Sequence, residues 1–197
     1  TYFDIVSRTE RALAIQPKVI TLGGDHSITY PLVKAFSKYY PKLDILHFDA
    51  HPDLYDEYDG DRYAHACPFA RIMEDNLAER LVQIGIRTMN LHQASQAKKF
   101  NVEIHQMKDL NLAAIPKFKN PLYISLDMDV FDPSCAPGVS HHEPGGMTSR
   151  ELFDCLHRLN ANVVGDDIVE YNPDSDLKGM TAYHAAKMIT EIASIMI

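Results

Sequence analysis

Leu43-Asp44-Ile45-Leu46-His47-Phe48-Asp49-Ala50-His51-Pro52-Asp53 is the stretch that decides how this chain folds. Its first half is an apolar run of strand length, and its second half is an Asp-x-His-x-Asp cluster interrupted by a proline, which cannot donate to a ladder. Residues two apart in an extended strand share a face, so Asp49, His51 and Asp53 begin on one side. An apolar strand ending in polar groups fits a buried parallel sheet, whose carboxyl ends are where open α/β folds gather their ligands.

Working outward, similar β-branched and apolar runs recur at 19–22, 81–86, 102–107, 122–126 and 163–169, giving six strands with 43–48. Helical patterns lie between and around them at 3–15, 28–39, 68–78, 91–100, 150–159 and 181–195, the last with apolar residues three and four apart. This alternation predicts an α/β fold of three layers, α/β/α, around a mostly parallel sheet. No repeat, low-complexity tract or linker divides it, so residues 1–197 read as a single domain. Each further polar cluster follows a strand: Gly23-Gly24-Asp25-His26, Asp127-Met128-Asp129 and Glu170.

Nineteen basic and 27 acidic residues give a formal charge of −8, which argues against a partner with a phosphate backbone and accords with a small cationic substrate. The three cysteines Cys67, Cys135 and Cys155 are odd in number and far apart, so the sequence points to a reducing, cytoplasmic setting. No segment has the apolar length of a membrane span.

Six residues have the chemistry of ligands for a mid-series divalent cation: His26, Asp49, His51, Asp53, Asp127 and Asp129. Four carboxylates brought together repel unless cations neutralise them. Taken singly, Asp-x-His-x-Asp also suits loop capping, and Gly-Gly-Asp-His also suits a plain turn after a strand. Three such clusters at the ends of three strands favour a metal centre over three coincidental turns.

Gly-Gly-Asp-His-Ser at 23–27, Asp-Ala-His-Pro-Asp at 49–53 and Ser-Leu-Asp-Met-Asp-Val-Phe-Asp-Pro at 125–133 resemble the signatures of the ureohydrolase family, which includes arginases and agmatinases. The resemblance continues through Ala136-Pro137-Gly138, Pro144-Gly145-Gly146 and Asp167-Ile168-Val169-Glu170-Tyr171-Asn172-Pro173, and is nearest the plant arginase branch. It implies an arginase-like fold and two manganese ions, one held by His26, Asp49, Asp53 and Asp127 and the other by Asp49, His51, Asp127 and Asp129. It further implies attack of an activated water on a guanidinium carbon, with His65 shuttling a proton and Glu170 orienting the guanidinium. On residue type alone, His65 is a surface or packing histidine and Glu170 an ordinary strand-end acid.

The same resemblance implies a homo-oligomer and about six strands remaining of the family's eight, the chain being shortened at its N-terminal side. It leaves a strand edge open beside 19–22, where another chain can pair. Asp25 is expected to hydrogen-bond a ligand histidine, His141, His142 and Glu143 to lie near the pocket, and His47 to be a buried, satisfied histidine. The acidic loop 56–61 reads either as a solvated surface or as a lure for a substrate amine, and Asn90 stands where animal arginases carry an aspartate. The alternative to an enzyme is a truncated metal-binding or interaction protein of the same fold.

Overall fold

The computed structural model describes residues 2–111 and 115–197. Strands β1 (Val19–Leu22), β2 (Asp44–Phe48), β3 (Arg80–Ile86), β4 (Glu103–Gln106), β5 (Leu122–Asp127) and β6 (Val163–Val169) form one sheet ordered β1-β6-β5-β2-β3-β4. Every neighbouring pair is parallel. All the strands therefore point their carboxyl ends to the same edge.

Helices α1 (Tyr2–Ile15), α2 (Thr29–Tyr39), α3 (Pro68–Glu74), α4 (Leu91–Lys99), α5 (Ser149–Arg158) and α6 (Met180–Met196) cover the two faces. On one face Leu13, Leu32, Val33, Phe36, Phe69 and Ile72 pack against Ile45, Leu81, Tyr123 and Val164 of the sheet. On the other, Leu152, Leu156, Met188 and Ile192 pack against Leu46, Phe48, Ile84, Ile124 and Leu126. These are the three expected layers. Each fully buried aliphatic or phenyl side chain contributes about 1.5–3 kcal/mol from removal of apolar area from water, so the two clusters supply the main driving force.

Local chemistry sets the boundaries. Asn90 accepts from Gln93 N at 2.9 Å and Thr148 from Glu151 N at 3.2 Å, each in a reciprocal capping box that starts α4 and α5. Helix α3 stops at Glu74, short of the expected residue 78, because the chain reverses at Asn76 with φ 53°. Strand β4 is shorter than 102–107 because Met107 enters a single 3-10 turn. Among the described residues strand β1 pairs only with β6, and Leu22 at its end is 60% exposed, so the expected open edge lies beside it there.

Asp166 is the anomaly in this core. It sits in mid-β6, in register with Ile20 and Ile124, and both carboxyl oxygens are buried without a hydrogen-bond partner. Burial, reinforced by the charge of Asp167, holds its pKa well above the usual carboxylate range. Because the folded pKa exceeds the unfolded one, the stability this group contributes is complete below the unfolded value and is lost as pH rises toward the folded value. We predict that Asp166→Val raises Tm at pH 7 by about 5 °C or more, on the scale of ~2–4 °C per kcal/mol for a domain of this size. The gain should shrink as pH falls toward 4. Thermal melts of parent and variant across that range test this, and a pH-independent difference would contradict it.

Candidate metal centre

Asp49 and Asp127 directly follow or end adjacent strands, β2 and β5, whose residues Phe48 and Leu126 are in register. The two carboxylates are thus neighbours by construction. His26 arrives from the turn after β1, and Asp53 is re-aimed by a left-handed backbone, φ 47°. Gly85, φ 99°, lets the Asp49 backbone approach β3: a Cβ there would lie 3.0 Å from Asp49 O and 2.8 Å from Val130 Cγ2.

The outcome is two groups of candidate ligands, His26 with Asp49, Asp53 and Asp127, and Asp49 with His51 and Asp129, each drawn together within 4.8 Å. Asp49 belongs to both. His26 Nδ1 lies 3.0 Å from Asp53 Oδ2, 3.2 Å from Asp127 Oδ2 and 3.3 Å from Asp49 Oδ2. None of the three serves as its hydrogen-bond acceptor, so a buried ring nitrogen faces three carboxylate oxygens unpartnered. His51 Nδ1 lies 2.9 Å from Asp129 Oδ2.

The other carboxylate oxygens are anchored by the chain itself. Asp127 Oδ1 accepts from Asp129 N at 2.8 Å, Asp129 Oδ1 from Ala50 N at 3.0 Å, and Asp49 Oδ1 from His51 N at 2.6 Å. In Asp127 and Asp129 this leaves Oδ2 turned toward an imidazole. Burial, then the charges of Asp129 and Asp49, push Asp127 well above the usual carboxylate range. Burial and Asp49 push Asp129 up to about 7. For His26, burial acts downward, but Asp127, Asp49 and Asp53 outweigh it and raise the ring well above its ordinary value. Asp49 moves the other way: burial acts upward, but His47, His26 and His51 outweigh it and hold it well below the usual range. Two acids strained upward beside a raised imidazole still mark a pocket short of positive charge, and an oxygen- and imidazole-rich donor set of this kind fits divalent cations.

His47 is buried and satisfied, as expected. Its Nδ1 accepts from the Gln83 amide at 3.0 Å, so Nε2 carries the proton and donates to Asp49 Oδ2 at 2.7 Å. It lies beside His26 and Asp49 but has both nitrogens committed, which makes it an orienting group for Asp49.

The site opens into a cleft of about 160 Å³ lined by His51, Asp53, Tyr55, Tyr58, His65, Thr88, Gln93, Asp127, Asp129, His141 and Glu170. His65 stands in the turn region between β2 and α3, its ring stacked on His141 with centroids 5.5 Å apart. Glu170 follows β6 with a left-handed φ of 64°, and its Oε1 accepts from His26 N at 2.8 Å. Burial raises its pKa, against the pull of the His26 amide.

Of the neighbouring residues singled out, His141 lines the cleft, and Glu143 Oε1 lies 3.6 Å from His51 Nε2. His142 instead contacts Pro137 O at 2.8 Å. Asp25 does not touch a histidine ring: its carboxylate caps the following turn by accepting from Ser27 N at 3.0 Å. The partner of His26 Nε2 is Ser125 Oγ, 2.9 Å away on β5. Asn90 serves as the α4 cap and donates to Tyr55 OH at 2.6 Å. In the loop 56–61, Asp56 is spent on Arg62 at 2.9 Å and Arg71 at 3.0 Å.

Sequence reasoning missed Arg87. Its guanidinium donates to Asp129 O at 2.6 Å and through Nε and Nη2 to Glu143 O at 2.9 and 2.7 Å, tying the ligand loop after β5 to the loop that carries His141. An arginine two residues into a Gly-Ile-Arg strand end was a visible signal, but its carbonyl partners are remote in sequence.

A covered parallel sheet with carboxylates and imidazoles converging on its carboxyl edge defines an α/β protein with a candidate metal site. Residues 3–194 match the arginase family, and the chain belongs to that family. It is 50% identical over 187 residues to a mitochondrial arginase of Medicago truncatula, covering 90% of this chain and 55% of that protein. It is 36% identical over 177 residues to an agmatinase of Bacillus anthracis, covering 87% of this chain and 61% of that protein. The solved arginase from Medicago truncatula superposes with a TM-score of 0.95 at 45% identity, covering 99% of this chain and 64% of that one. Proclavaminate amidino hydrolase from Streptomyces clavuligerus superposes with a TM-score of 0.88 at 29% identity, covering 97% of this chain and 68% of that one. The chain spans about half the length of the curated relatives it matches.

If the clustered carboxylates await cations, adding a divalent ion stabilises the fold. At a hundredfold excess over its dissociation constant, Mn2+ should add about 2.7 kcal/mol, read as a rise in Tm of roughly 5–10 °C. An unchanged Tm across a Mn2+ titration would rule out the centre.

Proposed function

We propose that this chain carries a guanidino-hydrolysing site that holds two Mn2+ ions and releases urea and an amine from agmatine or arginine. The observation that carries the proposal is the pair of ligand groups sharing Asp49, opening onto one cleft that also presents His65 and Glu170. Relatives named arginase and agmatinase support the substrate class.

In this reading His26, Asp49, Asp53 and Asp127 would hold one ion, and Asp49, His51, Asp127 and Asp129 would hold the other. When bound, the ions lower the pKa of a water so that hydroxide is available near neutral pH. Glu170 offers a planar two-oxygen acceptor matched to a guanidinium, and its left-handed backbone aims it into the cleft. His65, which lines the same cleft beside Tyr58, delivers the proton that the departing amine nitrogen needs. Among the described residues lining the cleft there is no lysine or arginine, which suits a cationic substrate.

No helix among the described residues is long and apolar enough to cross a membrane. The buried free thiols of Cys67 and Cys155 fit a reducing compartment, cytoplasmic in our reading, while several plant relatives are named as mitochondrial. We extend the proposal to one catalytic unit over 1–197 that assembles as a homo-oligomer, with no nucleic-acid partner.

The test is urea release by the Mn2+-loaded chain from agmatine, arginine and guanidinobutyrate. Turnover of one of them supports the proposal, and metal binding without turnover of any would favour the non-catalytic alternative, which the partial length of the match keeps in view. Asp127→Ala should lose metal and activity together. His65→Ala should keep its metal and slow turnover by roughly 10²–10⁴-fold, the usual loss of a proton-transfer group. Elemental analysis after dialysis, run beside the urea assay, separates the two phenotypes, and equal Mn2+ retention in Asp127→Ala and the parent would remove Asp127 from the ligand set.

A further inference from the structure

Beneath His26 runs a buried chain of polar side chains that leads away from the cleft. His26 Nε2 lies 2.9 Å from Ser125 Oγ, Ser125 Oγ donates to Asp167 Oδ1 at 2.7 Å, and Tyr123 OH donates to Asp167 Oδ2 at 2.7 Å. All four residues are fully buried. Tyr123 and Ser125 alternate on one face of β5, and Asp167 is in register with Ser125 on β6, so the sheet itself fixes the spacing.

The polarity of this chain follows from donor and acceptor counting. Both Asp167 oxygens accept, one from Ser125 and one from Tyr123, so the single Ser125 proton goes to Asp167. Ser125 Oγ therefore meets His26 with a lone pair, and His26 Nε2 must carry the hydrogen. Nδ1, the nitrogen that faces Asp49, Asp53 and Asp127, is then the one whose lone pair is available to a cation. Tyr123 completes the arrangement by occupying the second Asp167 oxygen.

We propose that Asp167, acting through Ser125, is the positioning residue that fixes the His26 tautomer and ring orientation for cation binding, with Tyr123 holding Asp167 in place. The inference rests on the metal centre proposed above and deepens it. It also gives Asp167, fully buried in β6 three residues before Glu170, a role that its depth in the sheet conceals. Asp25, adjacent to His26 in sequence, has no part in it.

Asp167→Asn keeps volume and shape but breaks the logic in either amide orientation. With the NH2 toward Ser125, the serine proton turns to His26 and Nδ1 becomes the protonated nitrogen. With the carbonyl toward Ser125, a neutral acceptor replaces a charged one and the Tyr123 proton is stranded. The experiment is calorimetric titration of Mn2+ into the parent, Asp167→Asn, Ser125→Ala and the double variant, with Tm recorded for each as a check on folding. Loss of such an outer partner typically weakens metal binding 10- to 100-fold, and that range is expected for both single variants.

The double variant should bind Mn2+ as Ser125→Ala alone does, since Asp167 acts only through the serine. Additive losses in the double variant, or full affinity in Asp167→Asn, would overturn the inference while leaving the metal centre standing. A parent chain that binds no Mn2+ would instead sink the centre and the inference with it. A second readout is independent of affinity: in the 15N-labelled chain loaded with diamagnetic Zn2+, the imidazole shifts of His26 should place the hydrogen on Nε2. A hydrogen on Nδ1 in the parent would reverse the assignment.

Discussion

Repulsion among carboxylates gathered at one sheet edge is the constraint on which the rest of this structure turns. Two unit charges 4 Å apart cost about 4 kcal/mol at an effective dielectric of 20, and Asp49, Asp53, Asp127 and Asp129 are all buried. A protein of ordinary stability has only about 5–15 kcal/mol in hand. Such a cluster is tolerable only with positive charge among the acids, supplied by protons, imidazolium or metal. The upward shifts of Asp127, Asp129 and His26 all express that deficit.

The scaffold around the cluster works to keep the acids from relaxing apart. Backbone amides of Ala50, His51 and Asp129 fix one oxygen of each of three carboxylates. His47, clamped by Gln83, fixes the second oxygen of Asp49, and Arg87 pins the carbonyls of the loop after β5. Two site residues, Asp53 and Glu170, also sit in left-handed backbone, a conformation that costs of order 1–3 kcal/mol for a residue with a side chain. The two hydrophobic clusters on either face of the sheet offset that cost and hold the strand ends rigid.

Membership of the arginase family gives this arrangement a frame, yet the chain corresponds to only about half of its curated relatives. The sheet order explains how a candidate centre is nonetheless assembled within it. The ligand-bearing strand ends belong to β1, β2 and β5, with β6 between β1 and β5 contributing Glu170. The open edge lies on the outer side of β1, and the loops carrying His65 and His141 meet where the two rings stack at the cleft.

The sequence by itself determined the alternation of strands and helices, because the apolar periods differ so clearly between the two, and it determined which strand ends carry acids and imidazoles. Strand limits were legible to within a few residues at β2, β3 and β5, and blurred where a left-handed Asn76 or the turn at Met107 ended an element early. The six candidate ligands were legible from their residue types at strand ends, although β2 stops at Phe48 and β5 at Asp127, so the turns that follow, and not a shared strand face, aim His51, Asp53 and Asp129. What holds them was not. Asp25 looked like the partner of a ligand histidine because it is adjacent in sequence, but the turn after β1 spends its carboxylate on Ser27. Only the tertiary structure brought Ser125 and Asp167 beneath His26, Gln83 behind His47, and Arg87 under Asp129, since each pairing crosses between strands or loops. Sequence spacing reports which face a side chain takes within its own strand. Which strand lies next to it depends on the sheet order, and that is settled by packing of the whole chain.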